Sequence, residues 1–278
     1  MARCEVGRGH RMNEMVVGDK TAGDKVVASS VKTAGRTLDV FEAFGAAGEP
    51  LSLTELAERI GSPVSSCHAL VKTLQARGYV YTLDQRRRIY PTKRLLEIAS
   101  EIAANDPLLR QIEPLMVALR DETGETIIMG KRQANEVIYL EVVDGSHTIR
   151  YTARPGDTKP LHSSSIGKAM LSLLTPAGVR DALKKGLDAR TPNTITDIAT
   201  LQADLDRGRA DGFFVTRGEN VVEVMAIAVA VRVAGENLGF ALAGPMPRVE
   251  AEFTRYRDAM GRFRDKVAAL TERIARFA

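Results

Sequence analysis

The sequence predicts an α+β chain of two domains. The first is a winged helix-turn-helix and the second a set of helices around an antiparallel sheet. Three observations predict this. Residues 51–79, LSLTELAERIGSPVSSCHALVKTLQARGY, carry two short helical periods separated by a glycine and capping residues. A pair of β-type runs with the basic tip QRRR follows at 79–90. Beyond Gly124, β-type runs alternate with helical stretches, the pattern of an α+β domain.

Residues 1–30 show no apolar period and read as a flexible tail. A helix is expected over Thr33–Phe44, with Leu38, Phe41 and Phe44 on its apolar face. Ser52 and Glu55 have the spacing of a capping box, so the next helix starts there. Leu53, Leu56, Ala57 and Ile60 form its stripe, and Gly61 can take the left-handed conformation that ends it. Ser62 is expected to cap the following helix, with Pro63 at its first position. There Val64, Cys67, Leu70, Val71 and Leu74 share one side. Ser65, Ala69 and Lys72 share the other, flanked by Ser66 and His68. Two helices with small, polar and basic residues facing outward suit a DNA groove; a plain helical hairpin remains the alternative from these residues alone. The hairpin Tyr79–Leu83 with Arg88–Tyr90 then sets Arg86, Arg87 and Arg88 where a wing would meet phosphate.

Composition narrows the function classes. The net charge is +4, yet residues 85–94 hold five basic residues and no acidic one, which favours nucleic-acid phosphate as partner. No apolar run is long enough to span a bilayer, and no secretory signal is expected at the N-terminus. The two cysteines, Cys4 and Cys67, lie far apart, which suits a reducing cytoplasm rather than a disulfide framework. No Cys/His cluster has metal-ligand spacing, so neither metal nor cofactor is expected.

The order LTELAERIG-SPVSSCHALVKTLQARGYV…RIYPTKRLLEIA resembles the IclR family of bacterial transcriptional regulators, as do KPLHSSSIGKAMLSLL at 159–174, TPNTITD at 191–197 and DGFFVTRGEN at 211–220. The resemblance covers roughly residues 31 to 278. It implies a winged domain over 31–91, a linker helix over 92–106 and a GAF-like effector-binding domain over 107–278. It also implies double-stranded operator DNA and a small-molecule effector as partners, and a homodimer or a dimer of dimers. The sequence departs from the pattern in both halves. Members usually carry Arg where Ala69 stands, so sequence readout shifts to Ser65, Ser66, His68 and Lys72; His68 either meets DNA or packs. In the effector domain many members have Gly at the position of Glu223 and Cys at that of Ala226. Members that bind acids have Asp near Thr216 and Ser near Ala241 and Ala243. The replacements favour a bulkier, partly apolar effector, such as an aromatic acid or derivative, over glyoxylate or pyruvate.

The polar turn His162, Ser163, Ser164 and Ser165 precedes a helix, whose free N–H groups favour an anion, and forms one expected wall of the effector pocket. Two enzyme readings meet this stretch. A phosphate loop fails because His162 and Ala169 replace required residues. Ser165 and Lys168 match the S-x-x-K of serine acyl-transfer enzymes, but S-D-N and K-T-G are missing. No catalytic residue is therefore assigned; an acyl-transfer enzyme and a DNA-binding protein without effector stay as alternatives.

Strands are expected at 126–131, 137–143, 148–152, 213–217, 224–233 and 238–243, and helices at 165–174, 176–185 and 198–211. The last helix carries a heptad stripe, Val249, Phe253, Tyr256, Met260, Phe263, Val267, Leu270, Ile274 and Phe277. Its aromatic content ranks packing on the chain's own sheet ahead of a dimer seam. Phe41, Leu95, Ile98 and Ile102 are the better seam candidates.

Overall fold

A computed structural model describes residues 31–83, 87–106 and 109–275, with side chains through residue 270. The expected tail 1–30, Arg86, Pro107, Phe277 and the Ile274 side chain lie outside the described residues. The chain divides into two compact units between Arg110 and Gln111.

The first unit runs α1 (Lys32–Ala47), α2 (Leu53–Arg59), α3 (Val64–Ala76), β1 (Val80–Leu83), β2 (Arg88–Pro91) and α4 (Arg94–Ala104). Both halves of the expected capping box form: Ser52 Oγ accepts from the Glu55 N–H, and Glu55 Oε2 accepts from the Ser52 N–H. Gly61 has φ +57, and the Ser62 N–H reaches back to the Ala57 carbonyl at 3.0 Å, closing α2. Ser62 is thus spent on ending one helix and does not cap the next. Its hydroxyl is buried without a partner, and Pro63 stands at the cap of α3 with no side-chain bond. Val64, expected inside, is 47% exposed at the first turn of α3. The core forms from Val40, Phe44, Leu51, Leu56, Cys67, Val71, Leu74, Val80 and Ile89. β1 and β2 pair antiparallel from Val80↔Pro91 to Leu83↔Arg88.

The second unit runs α5 (Leu109–Thr123), β3 (Thr126–Gln133), β4 (Glu136–Val143), β5 (Thr158–Pro160), α6 (Ser165–Ser172), α7 (Pro176–Ala182), α8 (Ile198–Asp211), β6 (Phe214–Arg217), β7 (Val224–Val233), β8 (Glu236–Pro245), α9 (Met246–Ala251) and α10 (Phe253–Ala275). Its strands form one antiparallel sheet in the order β5-β4-β3-β8-β7-β6. The expected strand 148–152 is not one. Its carbonyls are taken by side chains instead: the Thr126 hydroxyl donates to Tyr151 O, and Arg248 Nη2 to Ile149 O at 3.0 Å. The sheet edge passes to β5.

Period-2 alternation gives the sheet two unlike faces. Ile227, Val229 and Val231 pair across to Leu242, Phe240 and Leu238. Phe240 meets Phe263 of α10 edge-on at 5.1 Å between ring centres, which places these residues on the α10 side. Val249, Tyr256, Met260, Phe263 and Val267 of the heptad stripe are buried, so that helix packs on its own sheet. The opposite face pairs Ala226↔Ala243, Ala228↔Ala241 and Ala230↔Gly239. α6 lies on this face so closely that a methyl on Gly239 would come 2.5 Å from Ile166.

Candidate functional site

In the first unit, Cys67, Val71 and Leu74 anchor α3 to the core and turn its other side outward. Ser65, His68, Ala69 and Lys72 are exposed and Ser66 is half-buried. The structure thus gathers all four predicted recognition residues on one accessible helix surface, and exposure of His68 removes its packing alternative. At the wing the predicted trio separates. Arg87 is exposed in a left-handed turn with φ 50. Arg88 is instead a structural residue: its Nη1 donates to Pro50 O at 2.7 Å and lies 3.5 Å from Glu55 Oε2. It sits on β2, where strand alternation turns it back toward α2, so it braces the wing rather than standing at its tip.

In the second unit a cavity of about 30 Å³ lies between the small-residue face of the sheet and the start of α6. Ile128, Ala226, Ala241 and Ala243 floor it. Ser163–Ser165 form one wall, Asn220, Val221 and Val224 another, and Tyr139, Tyr151 and Thr216 complete the lining. Ser164 caps α6: its hydroxyl donates to Pro160 O at 2.7 Å and accepts from the Gly167 N–H at 3.2 Å. Gly167 has no room for a side chain, since a Cβ there would stand 2.3 Å from Leu161 O. The pinned cap directs the first turn of α6 at the cavity, with Ser163 Oγ donating to Asn220 Oδ1 at 3.5 Å. Burial pushes the Tyr139 phenol well up, with the neighbouring Tyr151 adding to it. Among the described residues, no Lys, Arg, His, Asp or Glu lines the cavity.

Seven of the nine predicted effector residues line the cavity and two do not. Ser163, Ser164, Ser165, Ala226, Ala241 and Ala243 line the cavity, and so does Thr216. His162 does not: it is buried outside the lining, its Nε2 3.0 Å from Asp188 O, and burial lowers its pKa. Glu223 does not either, being exposed in the loop before β7. Strand alternation could have found Ile128 and Tyr139, which stand in phase with Ala241 and Val137 on the inner face. Tyr151 and Asn220 come from loops and left no periodic signal.

Lys168 points away from Ser165 chemistry. Its fully buried Nζ contacts Asp204 Oδ2 and Glu219 Oε1 at 2.7 Å each and Val215 O at 3.4 Å. Three acceptors occupy the three ammonium hydrogens, so the S-x-x-K spacing does not yield a free amine base for Ser165.

A helix-turn-helix reader with a wing, followed by a separate domain with a small cavity, defines a class, the effector-responsive DNA-binding regulators. Comparison with known proteins narrows the class. Residues 33–84 match the IclR helix-turn-helix domain and residues 101–276 match the bacterial transcriptional regulator IclR C-terminal domain. The HTH-type transcriptional regulator BhcR of Paracoccus denitrificans is 30% identical over 237 residues, covering 84% of this chain and 85% of that protein. The crystal structure of the Thermotoga maritima IclR superposes with a TM-score of 0.74 at 22% identity, covering 87% of this chain and 99% of the other. An IclR homologue of Microbacterium hydrocarbonoxydans, solved in complex with 4-hydroxybenzoate, superposes with a TM-score of 0.66 at 23% identity over 85% of this chain and 99% of that one. The chain belongs to the IclR family of transcriptional regulators, with its winged helix-turn-helix followed by a GAF-like effector domain.

Proposed function

We propose that the chain binds a pseudo-palindromic operator through α3 and the Arg87 turn, and that a partly apolar carboxylic acid or derivative in the α6 cavity changes that affinity. One observation carries the effector reading. The cavity combines the amino-terminal turn of a capped helix, which favours one anionic group, with an alanine floor and no charged side chain in its lining. The 4-hydroxybenzoate complex of the Microbacterium homologue supports an acid with an apolar body. At about 30 Å³ the cavity has room for roughly two waters, whereas drug-sized ligands need about 300 Å³ or more, so such an acid must displace a wall.

The working form is a homodimer or dimer of dimers in the cytoplasm. α4 buries no residue within its unit and leaves Leu96 and Ile102 63% and 68% exposed. With Phe41, Leu95 and Ile98 it supplies the apolar seam that would set two recognition helices about one DNA turn apart. Regulation proceeds without turnover, in keeping with the occupied Lys168.

A thermal-shift and DNA-retention screen against aromatic and short-chain acids tests this reading, with each mixture assayed for product. An acid that raises the melting temperature and shifts retention supports it. Turnover of an ester or amide would move the protein to the enzyme reading. Changing Ile98 and Ile102 together to Glu should dissociate the full-length pair in sedimentation; an unchanged mass would remove α4 as the seam.

A further inference from the structure

Residues 218–224 form one wall of the cavity, fastened to its surroundings by hydrogen bonds that include Met246 N–H to Glu223 O at 2.7 Å. The Thr191 hydroxyl donates to Gly218 O and the Thr194 hydroxyl to Glu219 O, each at 2.6 Å. Ser163 donates to Asn220, and Lys168 donates to Glu219 Oε1. Only the last joins titratable groups. It ties the wall to α6, the same helix whose first turn forms the opposite wall.

The charges around this tie do not balance. Two carboxylates, Asp204 and Glu219, face a single fully buried ammonium. Asp204 has a second cation, the exposed Arg207 at 3.2 Å, on its solvent side. Glu219 has no second cation: its Oε2 is buried, makes no hydrogen bond of ordinary geometry and is approached only by the Arg217 backbone N–H, and the residue is 8% exposed. The remaining charged neighbours do not relieve it. Arg217 turns its guanidinium to Glu250 at 3.2 Å, and His162 is held by Asp188 O. An ionised carboxylate with one oxygen unmet in such a place is costly, and it gains by moving to water.

We propose that Glu219 is a proton-operated latch on the effector cavity: protonated, it holds the 218–224 wall inward; ionised, it favours an outward, hydrated wall. Opening the cavity then releases one proton. The proposal rests on the reading of the cavity as the effector site and adds a regulation to it. Protonation leaves Lys168 paired one-to-one with Asp204 and needs no partner for a second anionic oxygen. Burial raises the Glu219 carboxyl against the opposing pull of Lys168. A group raised in the closed state stabilises that state below its ordinary value of 4.5, and the advantage is lost as pH rises through the raised value. The wall therefore loosens as pH rises from 4.5 through that raised value. Within that window the closed-to-open ratio falls by at most about tenfold per pH unit for one proton.

The test uses the full-length protein without ligand, so it does not depend on finding the effector. Carbon-13 NMR of the Glu219 carboxyl in the wild type reads its titration directly. Hydrogen exchange of the 218–224 amides from about pH 5 to about pH 8, corrected for the intrinsic rate, reads the wall. The expected result is a Glu219 midpoint above the ordinary carboxylate range and protection that declines with pH. Glu219→Gln, neutral at every pH, should keep the wall protected throughout. A Glu219 midpoint at or below 4.5, or wild-type protection independent of pH, overturns the latch. Should Glu219→Gln fail to fold, the two wild-type measurements still decide. A failed acid screen with a pH-dependent wall would instead count against the effector reading alone.

Discussion

The two faces of the six-stranded sheet come from alternate residues of the same two strands, β7 and β8. One face presents Ile227, Val229, Val231, Leu238, Phe240 and Leu242, all buried, to the side of α10. The other presents Ala226, Ala228, Ala230, Gly239, Ala241 and Ala243 to α6. Large side chains fill the first face and pack it against α10. Small ones on the second let a helix approach and leave a cavity where its capped end stops. Stability and binding are thus separated by a single-residue phase, and substitution of neighbouring residues should give opposite phenotypes.

The largest expected effect tests the packing face. Phe240 is fully buried and meets Phe263. Phe240→Ala should cost about 3–5 kcal/mol in chemical denaturation of the effector unit. A loss under about 1 kcal/mol would mean that α10 does not seal this face.

Next comes its neighbour. Ala241 lines the cavity and pairs with Ala228 and Ile128. Ala241→Phe should destabilise by about 1–3 kcal/mol through overpacking, yet abolish the effector response while operator retention persists. Calorimetry with an acid that binds the wild type checks it; unchanged affinity would place the effector elsewhere.

The phase contrast explains what could be read in the sequence. Helices and strands with a clear apolar period, such as α8 and β7, stand where the pattern puts them. The heptad stripe of α10 also packs inward, as its aromatic residues implied. The cavity floor was legible through the family resemblance, which pointed to Ala226, Ala241 and Ala243, and the structure places all three in one strand phase. Misreadings arose where the chain satisfies its backbone by side chains rather than by periodic bonds. Residues 148–152 have β-type composition but give carbonyls to Thr126 and Arg248. Ser62 looked like a cap but closes the helix before it. His162 shares the motif of the serine turn, yet its ring bonds Asp188, a partner 26 residues away that no local spacing announces.

A smaller effect separates the cavity wall from the groups behind it. Burial depresses the His162 pKa below its ordinary 6.5. A depressed base contributes stability that is present above its unfolded value and lost as pH falls through the folded one. The wild type should therefore lose stability below about pH 6.5 through this group, the opposite sign to Glu219. His162→Gln should flatten that part of the stability curve in denaturant titrations at several pH values. A curve as steep as the wild type's would assign the acid loss to other groups.

The smallest effect on stability belongs to the surface that the sheet does not touch. Lys72 and Ser65 are exposed on α3 while Cys67, Val71 and Leu74 hold the helix from behind. Their side chains leave the core unchanged when replaced, so the melting temperature of Lys72→Ala should match the wild type within the usual small range of surface changes, about 0.5 kcal/mol. Its effect should appear only on DNA. If Lys72 meets phosphate, affinity for specific and non-specific duplexes should fall together, and the salt slope should shrink by about one unit. Arg87→Gln should behave alike, because the exposed turn residue reaches no base edge in this role, whereas Arg88→Gln should cost stability through Pro50 and Glu55. Ser66→Ala should instead relax sequence preference with little change in the slope. Fluorescence anisotropy over a salt series, with an operator and a scrambled duplex, separates the phosphate contacts Lys72 and Arg87 from the base contact Ser66. Identical curves for Lys72→Ala and wild type would remove α3 as the reading helix and leave the sheet's two phases as the only assigned division of labour in the chain.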